Sequence, residues 1–143
     1  MPKTPADYRN AIAVCLAGIA AELEVFGSFT DGAAGSDTAD LNRATELVTI
    51  LEGALGMGHT LVVEDQVQLE RLRTHSPEFR RSVHAVLEHE VERARSAIRN
   101  RRMALDAIVD RLMDVAVMSG DDVFEIMDRH RRPTVSLAKK VAT

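Results

Sequence analysis

A chain of 143 residues with one cysteine and a formal net charge of −4 is one domain's worth, too mildly charged for an acidic tail or a polybasic nucleic-acid binder. The lone Cys15 excludes a disulfide framework and, set among Ala, Val and Leu, reads as a small buried hydrophobe. The longest uncharged run, Asn10 to Ala21, is well short of the roughly twenty residues that cross a bilayer, and no basic leader precedes it, so a soluble, cytoplasmic protein without a membrane segment is expected.

Ala, Leu, Val, Arg and Glu dominate and Trp is absent, which favours helix over sheet; the expectation is an all-α, five-helix, bundle-like domain over residues 1–132 with a flexible tail over 133–143. Thr4-Pro5-Ala6-Asp7 is a capping box with proline in the first turn. The first helix then runs to a Gly27 cap with Tyr8, Ile12, Cys15, Leu16, Ile19, Leu23 and Phe26 on one stripe. Ser28 to Ala39 has no apolar period and is a loop. A second helix begins at about Asp40 and aligns Leu41, Ala44, Leu47, Val48, Leu51 and Leu55 as far as Gly56. Residues 58–64 form a short β-branched run read as extended chain, and the leucines of Asp65 to His75 are too sparse to decide.

Ser76-Pro77 opens a third helix, in which Phe79, Val83, Val86, Leu87, Val91, Ala94 and Ile98 share a stripe to about Asn100. A fourth, about Arg102 to Val117, aligns Leu105, Ile108, Val109, Leu112, Val115 and Ala116. Ser119-Gly120-Asp121-Asp122 caps a short fifth helix, with Pro133 beyond its end.

The motifs with chemical content are few. Two zinc-binding imidazoles one helical turn apart, with a Glu between them as general base, take the form H-E-x-x-H. The only His-Glu pair here is His89-Glu90, and Arg93 stands where the second histidine should be. His84 and His89, five residues apart, point about 140° apart around a helix and cannot chelate one ion from one face. Gly53 to Thr60 imitates G-x-x-x-x-G-K-T with His59 for the lysine, but leaves a helix for an extended run, the wrong context for a phosphate loop. Arg93, Arg95, Arg99, Arg101 and Arg102 lie within pairing distance of Glu88, Glu90 and Glu92 and have no aromatic residues among them, so they read as a salt-bridged face; no nucleic acid is expected. Ser28, Ser36 and Ser119 belong to no recognisable nucleophile motif.

One series of motifs runs through most of the chain: G-I-A-A-E-L-E-V-F-G (18–27), A-D-L-N-R-A-T (39–45), Gly56-Met57, the run E-R-A-R-S-A-I-R-N-R-R-M-A-L-D-A-I-V-D-R-L-M (92–113) and S-G-D-D-V (119–123). In this order they resemble the peptidase domain of the FtsH-type ATP-dependent zinc metalloproteases. Departures include Ile19 for an arginine, Leu23 for a second glutamate, and about four extra residues between Gly32 and Asp40.

The resemblance implies the C-terminal helical part of that domain, with the H-E-x-x-H helix lying upstream of the first helix and the ATPase module absent. It singles out Asp40 as third zinc ligand, needing its other ligands from another chain; from position alone, Asp40 is accounted for as the N-cap of the second helix. No catalytic residue is assigned. No cofactor is expected for the chain alone, and zinc only if the H-E-x-x-H element is supplied in trans. Relatives feed substrate from an ATPase ring to a hexameric protease layer, and their first two helices pack against an upstream half of the domain; the resemblance therefore implies apolar faces on these two helices that self-association or a protein partner would cover. Three functions follow: a peptidase-like assembly or interaction module inactive by itself, a metallopeptidase subunit completed in trans, and an arginine-rich nucleic-acid-associated regulator.

Overall fold

The computed structural model describes residues 3–30, 39–54 and 65–131. They form six α-helices and no strand: α1 (Pro5–Phe26), α2 (Asp40–Thr49), α3 (Gln66–His75), α4 (Pro77–Asn100), α5 (Arg102–Val115) and α6 (Gly120–Arg129), with α2 passing directly into a π-helical turn, Ile50–Ala54. The sixth helix is α3, on the segment whose sparse leucines left it open. Its start is fixed by Asp65, whose carboxylate accepts from the Gln68 N–H at 2.9 Å. The extended run at 58–64 and the tail over 133–143 lie outside the described residues. No helix among the described residues is long and apolar enough to cross a membrane.

The chain divides into two compact units, Met1–Arg99 and Asn100–Thr143. In the first, the Thr4 hydroxyl accepts from the Asp7 N–H at 3.2 Å while the Asp7 carboxylate accepts from the Thr4 N–H at 2.8 Å, and Gly27 ends α1 in the left-handed region at φ 76°. The inward stripe of α1 delivers Ile12, Leu16 and Ile19 to a core shared with Ala44 and Val48 of α2, Leu51 of the π turn and Val83 of α4. Phe26, at the end of the expected stripe, is 77% exposed instead, because it sits in the last turn beyond the reach of the packed helices.

The π turn is where α2 meets α3. Thr45 and Thr49 turn their hydroxyls back to the carbonyls of Leu41 and Thr45, at 2.8 and 2.7 Å, a bonding mode that competes with the regular ladder and bends helices. Gly53 follows. A Cβ there would lie 2.1 Å from Leu69 Cδ2 and 3.3 Å from Phe79 Cζ, so the missing side chain is the space that the fully buried Leu69 fills.

The seam between α1 and α4 is ionic as well as apolar. Arg99 donates from Nε to Glu24 Oε1 at 2.9 Å and from Nη2 to Oε2 at 2.9 Å, and Arg95 Nε reaches Oε2 at 3.3 Å. The hydrogen bonds from Arg99, then its charge and the bonds from Arg95, hold the Glu24 carboxyl below the ordinary glutamate range despite partial burial.

In the second unit, the Ser119 hydroxyl accepts from the Asp122 N–H at 3.1 Å and the Asp122 carboxylate accepts from the Ser119 N–H at 3.0 Å, the expected capping box for α6. Helix α5 stops at Val115. Ala116, placed by periodicity on the inward stripe, is its left-handed cap at φ 61°, the one non-glycine residue with positive φ among those described. Val109, Leu112 and Val115 stay 37–48% exposed, since a pair of helices this short has too little mass to surround its own apolar stripe.

Three measurements check this account. Gly53→Ala, by driving Leu69 out of its notch, lowers unfolding free energy by about 1–3 kcal/mol in urea melts. Ala116→Gly, by relieving the left-handed cap, raises stability by about 1 kcal/mol. Because the Glu24 carboxyl is held low, its contribution is present above the unfolded-state glutamate pKa and is lost as pH falls through the lower folded value. Titrating urea midpoints from about pH 6 to about pH 3 therefore gives a shallower acid limb for Glu24→Gln than for wild type.

Candidate functional site

The loop after α1 is held at its start by a residue the sequence did not mark. Glu22, on the polar side of α1, accepts from the backbone N–H of Thr30 at 2.7 Å, folding the chain back past the Gly27 cap. Where the chain is described again, Ala39 is buried and Asp40 is exposed. The N-cap of α2 is Ala39, whose carbonyl accepts from the Arg43 N–H at 3.1 Å and which offers no side-chain oxygen to the first turn. Asp40 is therefore not the cap. It lies one residue further in, in the first turn, where its negative charge meets the positive end of the helix, and it makes no hydrogen bond or ion pair to a described residue.

The His89-Glu90 pair is built for a different purpose from the one its letters suggest. Glu90 is wholly buried; its Oε2 accepts from Arg93 Nε at 2.6 Å, and Oε1 lies 3.5 Å from Arg9 Nη1 and 3.2 Å from His89 Nδ1. Arg93, in the place of a second imidazole, also donates from Nη1 to Asn10 Oδ1 at 3.1 Å and from Nη2 to the Arg9 carbonyl at 2.9 Å. A buried carboxylate deprived of such partners costs several kcal/mol, about 3–5 in measured cases, so this cluster clamps the amino-terminal half of α1 onto α4. His84 is exposed and sits 3.3 Å from Glu88.

Tested against zinc, these residues do not fit. Among the described residues no group of three or more His, Cys, Asp or Glu side chains could hold a metal ion, and Asp40 by itself is one ligand. Most of the arginine row is engaged too: Arg95 and Arg99 bind Glu24 and Glu92, and Arg102 binds Asp106 at 2.8 Å, while Arg101 has no such carboxylate partner among the described residues. Sequence spacing showed the pairs three or four residues apart. It did not reveal Glu24, whose partners stand 71 and 75 residues away. Of the phosphate-loop imitation, Gly53 serves helix packing, and residues 55–60 lie outside the described part.

Comparison with known proteins gives this scaffold its family. The model of peptidase family M41 matches residues 2–126. The ATP-dependent zinc metalloprotease FtsH of Thermotoga maritima is 33% identical over 85% of this chain and 22% of its own length. That of Kosmotoga olearia is 31% identical over 85% of this chain and 20% of its own. The chloroplastic ATP-dependent zinc metalloprotease FTSH 6 of Oryza sativa subsp. japonica is 30% identical over 90% and 21%. The chain thus spans about a fifth of the length of these relatives. With a family match across nearly the whole all-helical scaffold, the chain belongs to peptidase family M41.

Proposed function

We propose that this chain is a peptidase-like module of an ATP-dependent zinc protease system that supplies scaffold and protein contacts and has no hydrolytic centre of its own. The observation that carries this reading is Glu90. The one His-Glu pair in the sequence directs its carboxylate into the α1–α4 seam, with Arg93 bound to it, so neither a carboxylate facing substrate nor a second imidazole is available there. The exposed apolar side chains of α1, Val14, Val25 and Phe26, support a partner surface on that helix. The engagement of Arg93, Arg95, Arg99 and Arg102 by carboxylates argues against a nucleic-acid role.

A second reading is favoured by Asp40. Its carboxylate is exposed and free of the capping duty that would have explained it, which suits a ligand contributed to a metal site whose imidazoles come from another polypeptide. Purified chain is assayed for zinc by mass spectrometry and for cleavage of unfolded casein with and without a chelator. Substoichiometric zinc and no chelator-sensitive cleavage are expected; a full equivalent of zinc with cleavage by the chain alone overturns the proposal. On the second reading, adding an M41 polypeptide that bears H-E-x-x-H produces cleavage that Asp40→Asn abolishes.

A further inference from the structure

Where α2 gives way to the π-helical turn and meets α3, a cleft of about 180 Å³ stays open. Its apolar lining is Leu69, fully buried, and Ile50, the first residue of the turn; Glu46 and Thr49 stand on the α2 side, Glu70 and Arg73 on the α3 side. Pockets for drug-sized ligands run to roughly 300–1,000 Å³, so this one has room only for a small molecule. Arg73 is tethered through a single nitrogen. Its Nη1 donates to Thr49 Oγ1 at 3.2 Å, and Thr49, 4% exposed, is itself fixed by its bond to the Thr45 carbonyl at 2.7 Å. Nε and Nη2 of Arg73 donate to no described residue, and the carboxylates of Glu46 and Glu70 bond to none. Elsewhere in this unit arginines close on the glutamates beside them, as Arg93 does on Glu90 and Arg99 on Glu24. Here a guanidinium shares a cleft with two carboxylates and closes on neither, next to a π-helical turn, an element frequent at functional sites.

We infer that this cleft binds a free basic amino acid, with the ligand's carboxylate on Arg73 and its two cationic groups, the α-ammonium and the side-chain head, on Glu46 and Glu70. Charge complementarity selects this class. The walls present one positive and two negative groups, a basic amino acid presents one negative and two positive, and the filled cleft is neutral. A simple anion would be set against both glutamates, and a simple cation would be set against Arg73, so neither matches the set. Nε and Nη2 of Arg73 offer a carboxylate the planar fork that such pairs favour. Ile50 and Leu69 give the aliphatic stem of an arginine or lysine an apolar surface to lie on.

Whether the chain hydrolyses peptides has no bearing on this cleft, so its test stands apart from the zinc and casein assays. Isothermal titration calorimetry of the full chain with L-arginine is expected to show saturable one-to-one binding. Agmatine, which lacks the carboxylate, and N-acetyl-L-arginine, which lacks the α-ammonium, are each expected to bind at least about tenfold more weakly. Glu46→Gln and Glu70→Gln are each expected to weaken L-arginine binding by a similar factor. Both substitutions keep side-chain shape at exposed positions, so the melting temperature without ligand is expected to match wild type, which separates lost binding from lost folding. No saturable heat with L-arginine up to millimolar concentration, or an affinity unchanged in either analogue or in either variant, overturns the inference.

Discussion

The fold of the first unit depends on how α4 is held across α1. Glu90, wholly buried, draws Arg93 from its own helix and Arg9 from α1, and Arg93 extends the contact to Asn10 and the Arg9 carbonyl. Further along the same seam Glu24 reaches the other way, from α1 to Arg95 and Arg99. Apolar packing of Ile12, Leu16 and Ile19 against Ala44, Val48, Leu51 and Val83 supplies the non-directional part of the stability, but such a core would tolerate sliding of one helix on another. The paired carboxylates do not: an ion pair displaced by a turn leaves a desolvated charge without a partner.

That constraint also decides what the His-Glu pair can do. A general base of that kind must present its carboxylate to the metal-bound water, with room around it and an imidazole on either side. Here the carboxylate is turned into the seam and its neighbour Arg93 completes the structural cluster. The letters of a catalytic motif and the energetics of a helix crossing compete for the same side chain, and the crossing has it. Asp40 stands in the opposite condition, with a prominent place in the sequence, an exposed carboxylate and no hydrogen bond or ion pair to a described residue, its charge meeting only the positive end of α2.

Membership of peptidase family M41 accounts for the sequence order that this chain keeps across residues 2–126. The segments that carry the resemblance are largely those that build helix starts, stops and the core: the Gly27 cap, the buried Ala44 within A-D-L-N-R-A-T, and the Ser119 capping box. Such residues keep a scaffold folding whatever is attached to it. The same logic gives a role to Glu22, which anchors the chain at Thr30, just past the Gly27 cap.

Local chemistry was enough to read α1, α4 and α6 from the sequence, because a capping box, a first-turn proline and a helical apolar stripe act within a few residues of one another. It also sufficed to place Arg93 three residues beyond Glu90, where H-E-x-x-H would have its second histidine, since that requirement is one of residue identity at fixed spacing. Tertiary structure decided the rest. The helical state of α3, with only two leucines, follows from Leu69 finding the notch at Gly53; Asp40 is not the cap because helix α2 begins at Asp40 itself, with buried Ala39 before it; and Glu24 and Glu90 acquired roles from arginines that lie far along the chain or on a different helix. Periodicity reports only which side of a helix is apolar, and cannot say which partner that side will meet or which charges will be brought alongside it.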